Sequence, residues 1–257
     1  MSPYAFLTAL CLGVTALAAT ACSYADNGDR PPVLDALEAS GLGIVEEFPA
    51  DDGLRGFAAV AGQQPIAVYV TPGGDAIVGT RVDRNGNEPD AIRLQDLVAA
   101  PMGERMLSQL EAAEWVLDGS ADAPRVIYTF TDPNCPFCNR LWHAARPWVE
   151  EGKVQLRHVM VGVIREDSAG KVATILGSGD PGARLAENER RFAQGGVPAA
   201  SVVPASVRRA LESNHLLMME LGFRGTPALV FRDTDGTVQR RGGMPQGDDL
   251  NEVMGPR

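Results

Sequence analysis

The sequence predicts an α+β fold in two parts: a small antiparallel sheet with one helix, then a larger domain in which strands and helices alternate. Three observations carry that prediction. Between Gly41 and Asp90, short apolar runs are separated by turn signals such as Thr71-Pro72-Gly73-Gly74-Asp75 and Asn85-Gly86. A β-branched and aromatic run, Arg125–Phe130, leads directly into Cys135-Pro136-Phe137-Cys138 at the head of a helical pattern. Far downstream, Thr226-Pro227 precedes a short apolar strand and the turn Asp233-Thr234-Asp235-Gly236.

The chain has 257 residues, 45% of them apolar, so a packed core is expected. Its net charge of −10 excludes a nucleic-acid partner, which would require a basic stripe. Ala5 to Ala21 is apolar or small and uncharged, short for a membrane span and suited to a signal-peptide core. Ala19-Thr20-Ala21 offers a cleavage site that defines a leader of residues 1–21, and Ser23-Tyr24-Ala25 a second that extends it to 25. Cys22, directly after the first site, also completes a loose lipoprotein box. Met1 to Phe6 lacks the usual Lys or Arg. The prediction is an exported protein.

Cysteine arithmetic follows. Of four cysteines, Cys11 lies in the leader, and Cys22 is lost, lipidated or terminal. The exported body keeps Cys135 and Cys138. One pair this close in sequence cannot staple a body of this length, which points to chemistry rather than structure.

The first part, residues 31–90, reads as a helix opened by Pro31-Pro32 and then strands at Ile44–Phe48, Arg55–Val60, Ile66–Val70 and Ala76–Val82. At about 60 residues such a unit is marginal alone and needs a partner surface. Residues 91–119 read as a linker helix, patterned from Ile92 to Leu117 and broken or kinked at Pro101. The second part, residues 123–257, reads as strand Arg125–Phe130, helix Cys138–Glu151, strand Val154–Ile164, a helical insertion over about 166–222, a hairpin of Ala228–Phe231 with Thr237–Arg241, and a helix Gln246–Val253. This order is the thioredoxin arrangement with a long helical insertion.

Disulfide exchange needs a thiolate, a second thiol to resolve the mixed disulfide, and a place for a peptide. A cysteine at a helix N-terminus meets unpaired N–H groups and the positive end of the helix dipole. Its pKa falls from about 8.5 to roughly 3.5–7 in motifs of this type. Cys135 has that position and should attack; Cys138, one turn on, should resolve. Pro136 and Phe137 tune the thiolate, though their direction of effect cannot be read from sequence. Thr226-Pro227 supplies the second half of the site, a proline expected to be cis in this fold, with backbone free to pair with an extended client. No metal is expected, because His143, His158 and His215 are scattered. His143 reads as a surface or packing residue, Trp142 and Trp148 as core, and Glu150 and Glu151 as solvated. No general base for Cys138 is identifiable.

The run Phe130-Thr131-Asp132-Pro133-Asn134-Cys135-Pro136-Phe137-Cys138 resembles the DsbC/DsbG family of periplasmic thiol:disulfide interchange proteins. The likeness continues through Ala145-Arg146-Pro147-Trp148-Val149, Gly152–Arg157 and Val161–Ile164, with Trp115–Gly119 and Gly225-Thr226-Pro227-Ala228. Pro136 points to the DsbG side, and Phe137 departs from the tyrosine common there. The resemblance implies a homodimer paired through a cystatin-like N-terminal domain and a redox-active Cys135–Cys138 disulfide with no other cofactor. It also implies exported clients with disulfides or oxidised cysteines, a membrane electron donor of the DsbD type, isomerase or reductase activity, and chaperone activity. The alternatives are a DsbA-like dithiol oxidase and a chaperone whose cysteines are dispensable.

Overall fold

The computed structural model describes residues 30–256. The expected leader with Cys11, and Cys22 after the first cleavage site, lie outside the described residues. Helix α1 (Val33–Ala39) leads into a meander of β1 (Leu42–Pro49), β2 (Arg55–Ala61), β3 (Gln64–Val70) and β4 (Ala76–Val78), antiparallel throughout and in sequence order. Residues of β2 alternate between two small cores, because successive side chains of a strand point to opposite faces. Ala58 and Val60 pack with Val98 of the next helix, while Phe57 and Ala59 pack with Leu34 of α1. Gly56 is required locally, since a Cβ there would lie 2.5 Å from the Phe48 ring.

Helix α2 (Ala91–Glu111) follows. It runs unbroken through Pro101, contrary to the expected break. Pro101 is exposed, so water can satisfy the Leu97 carbonyl that loses its donor. The helical reading of residues 115–117 is also corrected: Trp115–Asp118 is strand β5, paired antiparallel with the run from Leu156 to Val159. Its apolar residues mimic a further helical turn in sequence, but Val116 is buried in the second domain's core and Asp118 binds Arg146. That domain's sheet therefore begins ahead of the expected start at residue 123.

The second domain continues with β6 (Arg125–Thr131), α3 (Pro136–Glu150), β7 (Val154–Met160), α4 (Ser168–Leu176), α5 (Pro181–Arg190), a 3₁₀ turn (Phe192–Gln194), α6 (Ala205–Glu220), β8 (Ala228–Arg232), β9 (Val238–Gly242) and α7 (Asp248–Met254). Its sheet has the order β5-β7-β6-β8-β9, with β6 and β7 parallel and the other pairs antiparallel. The sheet is covered on both faces. Ile127 and Leu156 meet Leu141, Ala145 and Trp148 of α3 on one face. Tyr128, Phe130 and Val159 meet Met106 and Leu110 of α2 and Met218 of α6 on the other. Strand β7 stops at Met160 rather than Ile164, because the N–H groups of Val163 and Ile164 turn to the Asp132 carboxylate, at 2.7 and 3.0 Å.

Helix α2 thus belongs to both parts. Its first half covers the N-terminal sheet, and its last turns are anchored on the second domain by apolar burial and by Glu111, which accepts from Tyr128 and Arg157.

Candidate active site

Strand β6, central in its sheet, ends at Thr131, and Asp132-Pro133-Asn134 turns the chain into α3. Cys135 is the N-cap of α3, with extended backbone, and Pro136 occupies the first helical position. That position tolerates proline because its N–H would have no intrahelical acceptor. The N–H of Cys138 donates to Cys135 Sγ at 3.2 Å. Both cysteines are free thiols and nearly buried.

Thr226-Pro227 lies opposite, and its peptide bond is cis. The Cys135 thiol donates to the Thr226 carbonyl at 3.3 Å. Thr226 Oγ1 is buried with no hydrogen-bond partner among the described residues, and its hydroxyl is one of the groups that lower the Cys135 pKa. The fold therefore brings together Cys135, Cys138, Thr226 and Pro227 across 91 residues of sequence.

The two sulfurs are unlike. The hydrogen bond from Cys138 outweighs burial and, with Thr226 and the helix N–H groups, lowers the Cys135 pKa to about 6. Burial first, and then the neighbouring Cys135 sulfur, push Cys138 well above the ordinary thiol range. Near neutral pH the pair holds one thiolate and one thiol, the state that disulfide exchange requires.

Phe137 is 46% exposed beside the cysteines, and the Arg140 guanidinium lies 4.5 Å from its ring centre. Phe137, Phe223, Thr226, Pro227 and Met244 line a groove of about 340 Å³. A larger cavity of about 740 Å³, lined by Glu104, Leu107, Glu111, Tyr128 and Arg157, lies between α2 and the sheet and contains neither cysteine.

Behind the cysteines is a buried polar layer that the sequence did not announce. Asp132, fully buried, accepts from the N–H groups of Asn134, Val163 and Ile164 and from the Ser168 hydroxyl. Asn134 donates to Asp167 and Ser168 and accepts from the buried ammonium of Lys171 at 2.6 Å. These bonds tie the turn before Cys135 to α4. Asn139, next to Cys138, donates to Glu189 of α5, and Asn188 donates to the Pro133 carbonyl. The one sequence signal was Asp132-Pro133-Asn134 itself, whose short polar side chains favour turns.

His143 is exposed, with its ring edge-on to the buried Trp142, and Glu150 and Glu151 are exposed. Among the described residues no group of three or more His, Cys, Asp or Glu could hold a metal ion, and no helix is long and apolar enough to cross a membrane.

Fold and site define a thiol–disulfide oxidoreductase built on a thioredoxin domain. A family model described as a thioredoxin-like domain matches residues 119–255. The chain is 42% identical over 252 residues to the thiol:disulfide interchange protein DsbG of Pseudomonas aeruginosa, covering 98% of each chain. It is 36% identical over 232 residues to DsbG of Escherichia coli strain K12, covering 88% of this chain and 92% of that one. The chain belongs to the DsbC/DsbG family of thiol:disulfide interchange proteins. A solved structure of Helicobacter pylori DsbG matches at a TM-score of 0.43 and 18% identity, covering 77% of this chain and 98% of that one.

Proposed function

We propose that the protein is a periplasmic disulfide isomerase and reductase that acts from its reduced state on exported proteins. The observation that carries this reading is the asymmetry of the sulfurs, with Cys135 lowered to about 6 and Cys138 raised. The Cys135 thiolate attacks a client disulfide, forming a Cys135–client S–S bond and expelling the other client sulfur as thiolate. A different client thiolate can then attack the mixed disulfide, which reshuffles the client and returns Cys135 unchanged. Alternatively Cys138 loses its proton and attacks Cys135 Sγ. The Cys135–Cys138 bond forms, the client leaves reduced, and the pair needs two electrons from a donor of the DsbD type. A client sulfenic acid is reduced by the same pair, its oxygen leaving as water. The redox-active pair is the only redox group this cycle needs.

The groove of Phe137, Thr226 and Pro227 takes an extended client segment, with Pro136 and Phe137 tuning the thiolate. The unit of residues 31–90 pairs two chains into a homodimer. The edge strand β4 supports that role, because its Ile77 and Val78 are 56% and 41% exposed, and apolar groups exposed at a sheet edge gain from a partner surface. The space between paired thioredoxin domains suits a folded client and a chaperone role.

The test is covalent trapping. The Cys138→Ser variant should accumulate a Cys135–client mixed disulfide, seen as a reductant-sensitive mass increase. Cys135→Ser should trap nothing and lose turnover of a scrambled multi-disulfide substrate. Turnover retained in Cys135→Ser would refute the assignment.

A further inference from the structure

The groove beside the cysteines is cationic, although the chain as a whole carries −10. Among the described residues Arg224 is the only charged side chain that lines it. Arg224 lies between α6 and β8, two residues ahead of Thr226. Two Cα–Cα steps keep its Cα within about 8 Å of that of Thr226. The Thr226 carbonyl is 3.3 Å from Cys135 Sγ. Arg224 is exposed, and its Nη1 donates to the carbonyls of Met219 and Phe223, at 3.1 and 3.0 Å. Both acceptors are neutral, so these bonds hold the side chain without cancelling its charge. Its Nε and Nη2 have no acceptor among the described residues.

A second guanidinium reaches the same groove through Phe137. Arg140 follows Phe137 by three residues on α3, a spacing that brings two side chains together on one helix face. It is exposed, with its guanidinium 4.5 Å from the centre of the Phe137 ring, and that ring lines the groove. Stacking on an aromatic face orients a guanidinium and leaves its N–H edge free for a carboxylate. Neither Arg140 nor Arg224 makes an ion pair among the described residues. Beyond Gln246 at the groove's margin, α7 carries Asp248, Asp249 and Glu252, and Arg241 takes up the last two at 2.6 and 2.8 Å.

Screening decides which charges a client meets. At physiological salt the Debye length is about 8 Å, so carboxylates spread over the rest of the surface count for little at the groove. An extended client advances about 3.3 Å per residue, which brings side chains within about three positions of its cysteine into that range. We propose that Arg140 and Arg224 select clients that carry aspartate or glutamate within about three residues of the reactive cysteine. This rests on the disulfide-exchange reading above. The client carboxylate accepts charge-assisted hydrogen bonds from the guanidinium forks and holds the neighbouring sulfur at Cys135, whereas a lysine at the same place is repelled. The selection falls on capture, because charges at the rim of a site act mainly on association. Both arginines are positioning residues; the reacting sulfurs remain those of Cys135, Cys138 and the client.

The experiment follows mixed-disulfide formation by the reduced full-length protein in a Cys138→Ser background, where the adduct accumulates. The probes are three symmetric peptide disulfides that differ only at the residue before the cysteine, glutamate, glutamine or lysine. Acid quench and mass spectrometry give the second-order rate. Each rate is divided by that of the same protein also carrying Arg140→Gln and Arg224→Gln, which cancels the effect of the peptide's charge on its own disulfide. The quotient should be about 5-fold larger for glutamate than for glutamine, in the range of two exposed ion pairs, and smaller for lysine than for glutamine. In 1 M salt the three quotients should converge. Equal quotients at low salt, or a glutamate advantage undiminished in 1 M salt, overturn the selection. If near-UV circular dichroism shows the double arginine variant unfolded, each single substitution carries the same comparison, with an expected advantage of about 2-fold. Absence of a Cys135 adduct with every peptide would overturn the function itself, a result distinct from adducts that form without regard to charge.

Discussion

The two sides of the Cys135–Cys138 pair are made of opposite materials. The side proposed for the client is an open groove with the exposed Phe137 ring, the Thr226 carbonyl and a proline. The rear is a closed layer in which Asp132, Asn134, Ser168 and Lys171 satisfy one another. A groove that must accept varied clients gains from few fixed bonds. A reactive thiolate at a helix N-cap needs the opposite, a turn held by many bonds so that its sulfur and the helix N–H groups stay aligned.

That contrast predicts separable effects. Asp132→Ala strips an acceptor from several buried donors and should cost about 3 kcal/mol of stability, one unsatisfied buried group alone costing about 1–3 kcal/mol. Urea unfolding of the reduced protein measures it, and a loss within error would show that the rear layer is dispensable.

The next effect is pH dependence. Folding lowers Cys135 to about 6 and raises Cys138. Between that value and the unfolded thiol pKa of about 8.5, the unfolded chain binds more protons, so stability rises with pH. Above the unfolded value the native state keeps the Cys138 proton that the unfolded chain has lost, and the trend reverses. Unfolding of the reduced wild type, referenced to the double Cys→Ser variant, should therefore peak near pH 8.5. Thiolate absorbance should titrate with a midpoint near 6.

On the groove side, Phe137→Ala should weaken client binding by about 1 kcal/mol, as for an ordinary contact residue, and leave stability nearly unchanged. A peptide-substrate KM measurement reads it. A large stability loss would blur the division between the two sides. The smallest effect is expected at the exposed Glu104–Arg232 pair between α2 and β8, where Glu104→Ala should change stability by less than about 0.5 kcal/mol.

The same division explains what was legible in the sequence. Cys135, Cys138 and Thr226-Pro227 were readable because spacing, helix position and proline chemistry are local signals. The rear layer was not, because its bonds join distant segments: Asn134 to Ser168 across 34 residues, and Asn139 to Glu189 across 50. His158 looked like one of three scattered histidines until the sheet buried it between Thr131 and Asp118. Strand β5 was misread because Trp115 and Leu117 continue a helical spacing, and only its pairing with β7 distinguishes it. Pro101 misled in the other direction, since local chemistry predicts a break that solvent exposure makes affordable.

Acid quench followed by alkylation of the thiols in the native cell tests most directly whether Cys135 and Cys138 work from the reduced state. The prediction is a mainly reduced pair, shifting to oxidised when the membrane electron donor is removed. A pair found mainly oxidised in wild-type cells would contradict the reductase and isomerase assignment and point to a dithiol oxidase.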